Sequence, residues 1–205
     1  MKKLSILIAS IEQRKLEFEV LMQELNFQVH SLEDGSLVEI IFDIDNKQKS
    51  IGKKRQDLLN RSTGEYIVFI DDDDMPSPFY IRDVLHCIKA EPDCIGIKIL
   101  MTTNGAHPQI CCHRLKYKEW QEKVDGFDYV RNVTHFNPVK RSLAIACGGF
   151  KDLRFAEDKD YADRLTKICK SEVFFYEYPL LNYRYSNTIP NEIKFGLRNE
   201  YNKAF

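Results

Sequence analysis

The sequence predicts an α/β fold built on a mostly parallel, Rossmann-like central sheet with helices on its faces. Three observations predict it. Short apolar, β-rich runs alternate with stretches of helical periodicity through the first half of the chain. These runs are apolar throughout rather than alternating, as strands covered on both faces are. The third run passes directly into four aspartates, Asp71-Asp72-Asp73-Asp74, and parallel sheets bind ligands beyond the carboxyl ends of their strands.

Taken in order, Ser5 to Ser10 reads as a buried central strand. Glu12 to Leu25 follows as a helix, with Leu16, Val20, Leu21 and Leu25 in helical spacing. Val38 to Phe42 is the second strand, ending at Asp43-Ile44-Asp45-Asn46, and Gly52 to Arg61 is a helix stopped near Thr63-Gly64. Tyr66 to Ile70 is the third strand. A helix from about Phe79 to Lys89 follows Pro76 and Pro78, and Cys94 to Leu100 is the fourth strand.

From Thr102 the pattern is less regular. Mixed turns are expected to about Asp128, then a helix over Val139 to Cys147, a turn at Gly148-Gly149-Phe150 and a helix from near Glu157. Strands over Glu172 to Tyr176 and Leu181 to Tyr185 precede a polar tail. No repeat or low-complexity linker divides the 205 residues, so one domain is expected.

The composition, 43% hydrophobic and 30% charged, is that of a globular chain and excludes disordered and fibrous classes. A formal net charge of -1 provides no overall field for nucleic acid or an anionic membrane. Met1 to Ala9 resembles the start of a signal peptide, but the apolar run is short and Glu12, Gln13 and Arg14 follow at once. No run approaches the roughly 18 apolar residues of an integral membrane segment. The expectation is a cytoplasmic protein. Its six cysteines include no C-x-x-C pair, and Cys111-Cys112-His113 is a poor zinc chelate, so reduced, buried thiols are expected.

Four adjacent carboxylates repel one another, and a divalent cation relieves that cost. Hard oxygen ligands suit Mg²⁺ or Mn²⁺, held by one or two carboxylates together with substrate phosphates. The plainer meaning of the run is a solvated acidic loop or a cap on the helix after Pro78. A second carboxylate pair, Glu157-Asp158, stands at a helix start, where the dipole favours the ionised form that a general base needs. An N-cap is the ordinary meaning of such a pair.

The succession Ser5-Ile6-Leu7-Ile8-Ala9-Ser10, Glu39-Ile40-Ile41 ending at Asp45, Gly52-Lys53-Lys54-Arg55 and Gly64 to Asp74 resembles family 2 glycosyltransferases of the GT-A fold. Gly148-Gly149-Phe150 and Phe155-Ala156-Glu157-Asp158 resemble that family's Gly-Gly-Phe turn and Glu-Asp motif. The resemblance covers roughly residues 4–186. It implies that Ala9, Ser10 and Glu12 lie along the donor nucleotide and that Asp45, or alternatively Asp43, accepts a hydrogen bond from the base. Arg55 matches a basic position of the family, although Lys54 and Gln56 depart from its small-Arg-Asn pattern.

The family's Asp-x-Asp motif falls on Asp71, Asp72 and Asp73. Asp73 is then the direct metal ligand, with Asp71 beside it, Asp72 near the ribose or phosphate and Asp74 in reserve. Asp158 is the implied base, with Glu157 next to it. The implied reaction is an inverting transfer from a nucleoside-diphosphate sugar, UDP-sugar favoured, to a hydroxyl on a glycan, lipid or protein. Residues of about 1–101 would form the donor half and about 102–205 the acceptor half.

His135 is a candidate for the acceptor side or the metal shell, against the commoner structural role of a lone histidine. Lys140 and Arg141 are candidates for phosphate, and Arg164 for an internal carboxylate partner. Trp120, Tyr183 and Tyr185 read either as core or as a platform for a sugar ring. A short chain leaves room for a partner protein or a larger parent polypeptide. Two rivals stand beside this reading: a sugar nucleotidyltransferase, whose glycine-rich segment after the first strand is missing from Ala9 to Arg14, and a non-catalytic binding module of the same fold.

Overall fold

The computed structural model describes residues 1–185; the polar tail expected from the sequence lies outside them. Strands β1 (Leu4–Ile11), β2 (Val38–Asp45), β3 (Tyr66–Phe69) and β5 (Cys94–Thr103) form the central sheet with helices α1 (Lys15–His30), α2 (Ile51–Arg61) and α3 (Tyr80–Ile88) between them. β1 pairs in parallel with both β2 and β3. The short strand β9 (Val139–Lys140) lies antiparallel between β3 and β5, so that β5 runs in the direction of the other three.

The alternation of β1 explains why this sheet is covered on both faces. Leu4, Ile6 and Ile8 enter the core beneath α1 and α3, whereas Leu7 and Ala9 enter the core beneath α2 and α5 (Glu157–Leu165). β3 divides its side chains in the same way, Tyr66 and Val68 to one face, Ile67 and Phe69 to the other. Each fully buried aliphatic or aromatic side chain contributes about 1.5–3 kcal/mol.

β5 is long enough to serve two sheets. Its first residues pair with β10 (Glu172–Phe174), and its later ones with β11 (Leu181–Tyr185) and with β6 (Ala106–His113). The minor strand β4 (Met75–Pro76) pairs with β11. β8 (Phe127–Arg131) runs beside β6, and β7 (Gln121–Val124) closes the edge.

Three expectations need correction. The region read as mixed turns to Asp128 is the β6–β8 sheet; Pro108 and the exposed edge of β7 hide its period. α1 does not end near Leu25 but continues to His30, because Gln28 turns inward, donates to the Ser77 carbonyl (2.8 Å) and accepts from the Ile81 N–H (3.0 Å) at the start of α3. Val139 does not begin a helix: it fills the slot between β3 and β5, and α4 (Arg141–Ala146) starts after it.

Candidate active site

The carboxyl ends of β1, β2 and β3 gather most of the residues singled out from sequence. Past β3, the Ile70 N–H still bonds to the Leu7 carbonyl (3.1 Å), and then the chain turns, with the Asp74 N–H on the Asp71 carbonyl (3.1 Å). The four aspartates fan out from this turn to different partners.

Asp71 accepts from Arg55 at 2.8 Å, and its other oxygen lies 3.7 Å from His135 Nε2. Burial would raise its pKa, but Arg55 and then His135 outweigh burial and hold it below the ordinary range. Asp72 is buried and accepts from Ser10 Oγ (2.6 Å) and Arg14 (2.7 Å); burial raises its pKa despite Arg14. Asp73 lies 3.3 Å from Arg14 and keeps its side chain 17% exposed. Asp74 turns inward and anchors the Arg184 backbone N–H of β11 at 2.9 Å. Burial, Asp73 and Asp71 push Asp74 well above the usual carboxylate range. The reserve ligand is thus a fold anchor.

Arg55 sits fully inside the protein on α2, a helix capped by Ser50 Oγ on the Lys53 N–H (3.0 Å). Its guanidinium donates to Glu157 (2.5 Å) as well as Asp71, and lies 5.9 Å from the ring centroids of Phe69 and Phe150. Two carboxylates outweigh burial and raise its pKa. Close packing of α2 on the Gly-Gly-Phe region fixes this geometry: a Cβ on Gly52 would meet the Lys151 carbonyl at 1.9 Å, and one on Gly149 would meet Gln56 Oε1 at 2.0 Å. Gln56 Oε1 instead accepts the Phe150 N–H at 2.7 Å.

Ala156, the cap residue just before α5, is held at φ 58° in the left-handed region. This turn sends Glu157 into the interior, where burial raises its pKa against the pull of Arg55. Asp158 is more open, with Arg131 of β8 at 3.9 Å. His135 occupies a rigid loop in which Asn137 bonds the Ile95 and His113 carbonyls and the Thr134 N–H. Burial and Arg55 lower the pKa of His135, which favours the neutral ring, and its Nδ1 is buried without a hydrogen-bond partner. Arg55, Asp71, His135, Glu157 and Asp158 all line one cavity of 580 Å³.

The nucleotide candidates are placed around the end of β2. Asp45 accepts the backbone N–H groups of Lys47 (3.2 Å) and Lys49 (2.8 Å) and pairs with the buried ammonium of Lys54. Lys54 also donates to the Ser10 carbonyl, which ties β1 to β2. Asp43 pairs with Lys49 at 2.8 Å. Glu12 is exposed in a 3-10 turn after β1, while Ala9 packs its side chain into the core.

Lys140 and Arg141 are not at this site. Lys140 registers with Tyr66 at the start of β3, the far end of the strand from Asp71, and pairs with Asp93 at 3.2 Å. Arg141 donates to Ser62. Arg164 is the internal partner expected, on Asp160 and on the Cys147 and Gly149 carbonyls. Cys111 and Cys112 fall into separate apolar clusters.

Arg14, Lys54 and Arg131 belong to the site but carry no local sequence signal. Their partners come from distant segments.

Among the described residues no group of three or more Asp, Glu, His or Cys side chains forms a cage for a metal ion. Asp73 keeps its side chain partly open, and carboxylate oxygens are the hard donors that a divalent cation completed by substrate phosphates takes.

No protein-family model matches this sequence, and no curated protein matches it. Solved structures of S. aureus TarS do match in three dimensions. One aligns over 95% of this chain and 38% of its own, with a TM-score of 0.65 and 14% identity. TarS 1–349 in complex with UDP matches with a TM-score of 0.66 and 14% identity over 95% of this chain and 63% of its own. The complex with UDP-GlcNAc matches with a TM-score of 0.63 and 14% identity over 94% and 60%. The chain therefore has a GT-A fold and spans less than two thirds of the structures it resembles.

Proposed function

We propose that this chain is a metal-dependent, inverting glycosyltransferase of the family 2 type that uses a nucleoside-diphosphate sugar, UDP-sugar foremost. The observation that carries the reading is the Arg55 bridge. It joins Asp71, at the mouth of the donor side, to Glu157, beside Asp158, at one cavity. The fold is shared with structures that hold UDP and UDP-GlcNAc.

In this reading Asp45, or Asp43, faces the base, and Ser10, Glu12 and Asp72 lie along the nucleoside. Arg55 and Lys54 hold the carboxylates around the donor in place. Asp73, with Asp71, would hold Mg²⁺ or Mn²⁺, which when bound neutralises the departing diphosphate. Asp158 takes the proton of an acceptor hydroxyl as that oxygen bonds to the anomeric carbon, and the bond from that carbon to the diphosphate oxygen breaks. Displacement from the opposite face inverts the anomeric centre. Glu157, fixed by Arg55, sets the position of the helix start that carries Asp158.

The first half of the chain is then the donor side and the second half the acceptor side. Remaining acceptor contacts are left to a partner or to a longer polypeptide. No helix among the described residues is long and apolar enough to cross a membrane. The six free cysteines suit a reducing compartment, and we place the activity in the cytoplasm. Calorimetry with UDP, with and without Mn²⁺, followed by donor-hydrolysis assays over a UDP-sugar panel, tests the reading. Absence of metal-linked UDP binding and of hydrolysis would remove it.

A further inference from the structure

Trp120, which directly precedes β7, forms part of the wall of the 580 Å³ cavity. Its indole lies 4.6 Å from the ring of Tyr129 on β8 yet stays 47% exposed, and Tyr185 on the same cavity is 48% exposed. A tryptophan serving only the core would be covered. Beside these rings stand polar side chains, of which Gln109 donates to the Tyr129 hydroxyl at 3.2 Å. Arg131 is largely buried, its Nε has no hydrogen-bond partner, and its nearest carboxylate is 3.9 Å away. Gln109 and Glu122 share the lining.

Charge narrows the ligand. Four carboxylates, Asp71, Glu122, Glu157 and Asp158, and two guanidinia, Arg55 and Arg131, line this cavity. Arg55 engages Asp71 and Glu157, so the remaining carboxylates Glu122 and Asp158 stand against the single guanidinium of Arg131, which disfavours an anionic ligand beside Trp120. An alkyl chain would leave Arg131 and Glu122 without partners, at the cost of desolvating them. A sugar ring has one apolar C–H face for an aromatic wall and a rim of hydroxyls for the polar groups.

We propose that the acceptor is a neutral saccharide, one ring of which lies against Trp120 while its hydroxyls bond to Arg131, Gln109 and Glu122. This rests on reading the cavity as the acceptor side of a glycosyltransferase site, and it selects the glycan among glycan, lipid and protein.

Trp120 is the single tryptophan of the chain, so intrinsic emission reports occupancy of this wall directly. The full chain is titrated with neutral chito-, malto-, xylo- and galacto-oligosaccharides, with an acidic oligogalacturonate, with monomeric dodecylphosphocholine and with a serine-rich peptide. A saturable emission change with a neutral oligosaccharide is expected. By calorimetry with the same sugar, Trp120→Ala should weaken binding roughly tenfold and Trp120→Phe less, with circular dichroism confirming that both variants fold. Arg131→Gln should weaken it as well. A response to none of the neutral sugars, a response to the acidic sugar, alkyl chain or peptide alone, or unchanged affinity in Trp120→Ala overturns the proposal. A parallel UDP titration separates it from its premise: UDP binding without a saccharide response sinks the saccharide acceptor alone, whereas a saccharide response without UDP binding sinks the transferase reading alone.

Discussion

Arg55 holds Asp71 and Glu157 in a single pair of ion contacts, 2.8 Å and 2.5 Å, although Glu157 lies 102 residues further along the chain. It is therefore both the bond between the two halves of the site and a buried cation whose cost is met chiefly by those carboxylates, with His135 Nε2 at 3.2 Å as a further partner.

Removing it leaves buried charge on both sides. Arg55→Ala is expected to destabilise the fold by about 3–5 kcal/mol, and Arg55→Lys, which keeps the charge but loses the fork, by less. Urea denaturation of the two variants checks this. Equal midpoints for Arg55→Ala and wild type would show that the bridge carries no stability.

Asp45 links stability to pH. Partial burial would raise its pKa, but Lys54 and the N–H groups of Lys49 and Lys47 outweigh that and hold it below the ordinary value. A carboxylate with a depressed folded pKa stabilises the native state above its unfolded pKa of about 3.9, and this is lost as pH falls through the folded value. Asp45→Asn should therefore be less stable than wild type at pH 7, with the gap closing as pH falls below about 4. UDP affinity of the same variant should fall roughly ten- to a hundredfold if Asp45 faces the base. If Asp43→Ala shows that loss and Asp45→Asn does not, the role passes to Asp43.

The aspartate run separates into metal and anchor functions. Asp73→Ala is expected to abolish the gain in UDP affinity that Mn²⁺ confers, as EDTA does for the wild type. Asp74→Ala should retain the gain but lower the melting temperature, because it frees the Arg184 N–H that joins β11 to the turn. The reverse pattern would shift the metal ligand by one residue.

How much of this was legible in the sequence differs between the two halves. β1, β2, β3 and β5 could be read because strands covered on both faces need continuous apolar runs, and the carboxylates follow from where those runs end. The β6–β8 sheet could not be read by period, since its exposed strands lack a continuous apolar face. It did carry a turn signal: Asn104-Gly105 and Asp125-Gly126 have positive φ at all four residues and join adjacent strands as two-residue hairpins. Lys54 and Arg131 were illegible for another reason. Lys54 looked like a departure from a small residue, yet its ammonium fills the gap between Asp45 and the Ser10 carbonyl, a relation visible only once β1, β2 and α2 are assembled.

Glu157 and Asp158 are neighbours in sequence with different tasks in space, and that difference makes the base testable. Glu157 is 6% exposed and bound to Arg55, so Glu157→Gln should act on stability first, through a weakened charge pair, and on rate only as α5 shifts. Asp158 borders the cavity, and its nearest cation is Arg131 at 3.9 Å. Asp158→Asn keeps the shape and changes little in the packing, so the melting temperature and UDP affinity should stay close to wild type. If the carboxylate takes the acceptor proton, kcat alone should fall by about 10²–10⁴-fold. The N-cap expected from the sequence is not Asp158, since Ala156 precedes α5 with no side-chain cap bond; a role limited to the helix dipole would cost Asp158→Asn only about 0.3–1 kcal/mol of stability and leave the rate unchanged. Measured side by side, a rate loss confined to Asp158→Asn and a stability loss confined to Glu157→Gln would assign base and support respectively; full turnover in Asp158→Asn would take Asp158 out of the mechanism and leave it without an identified base.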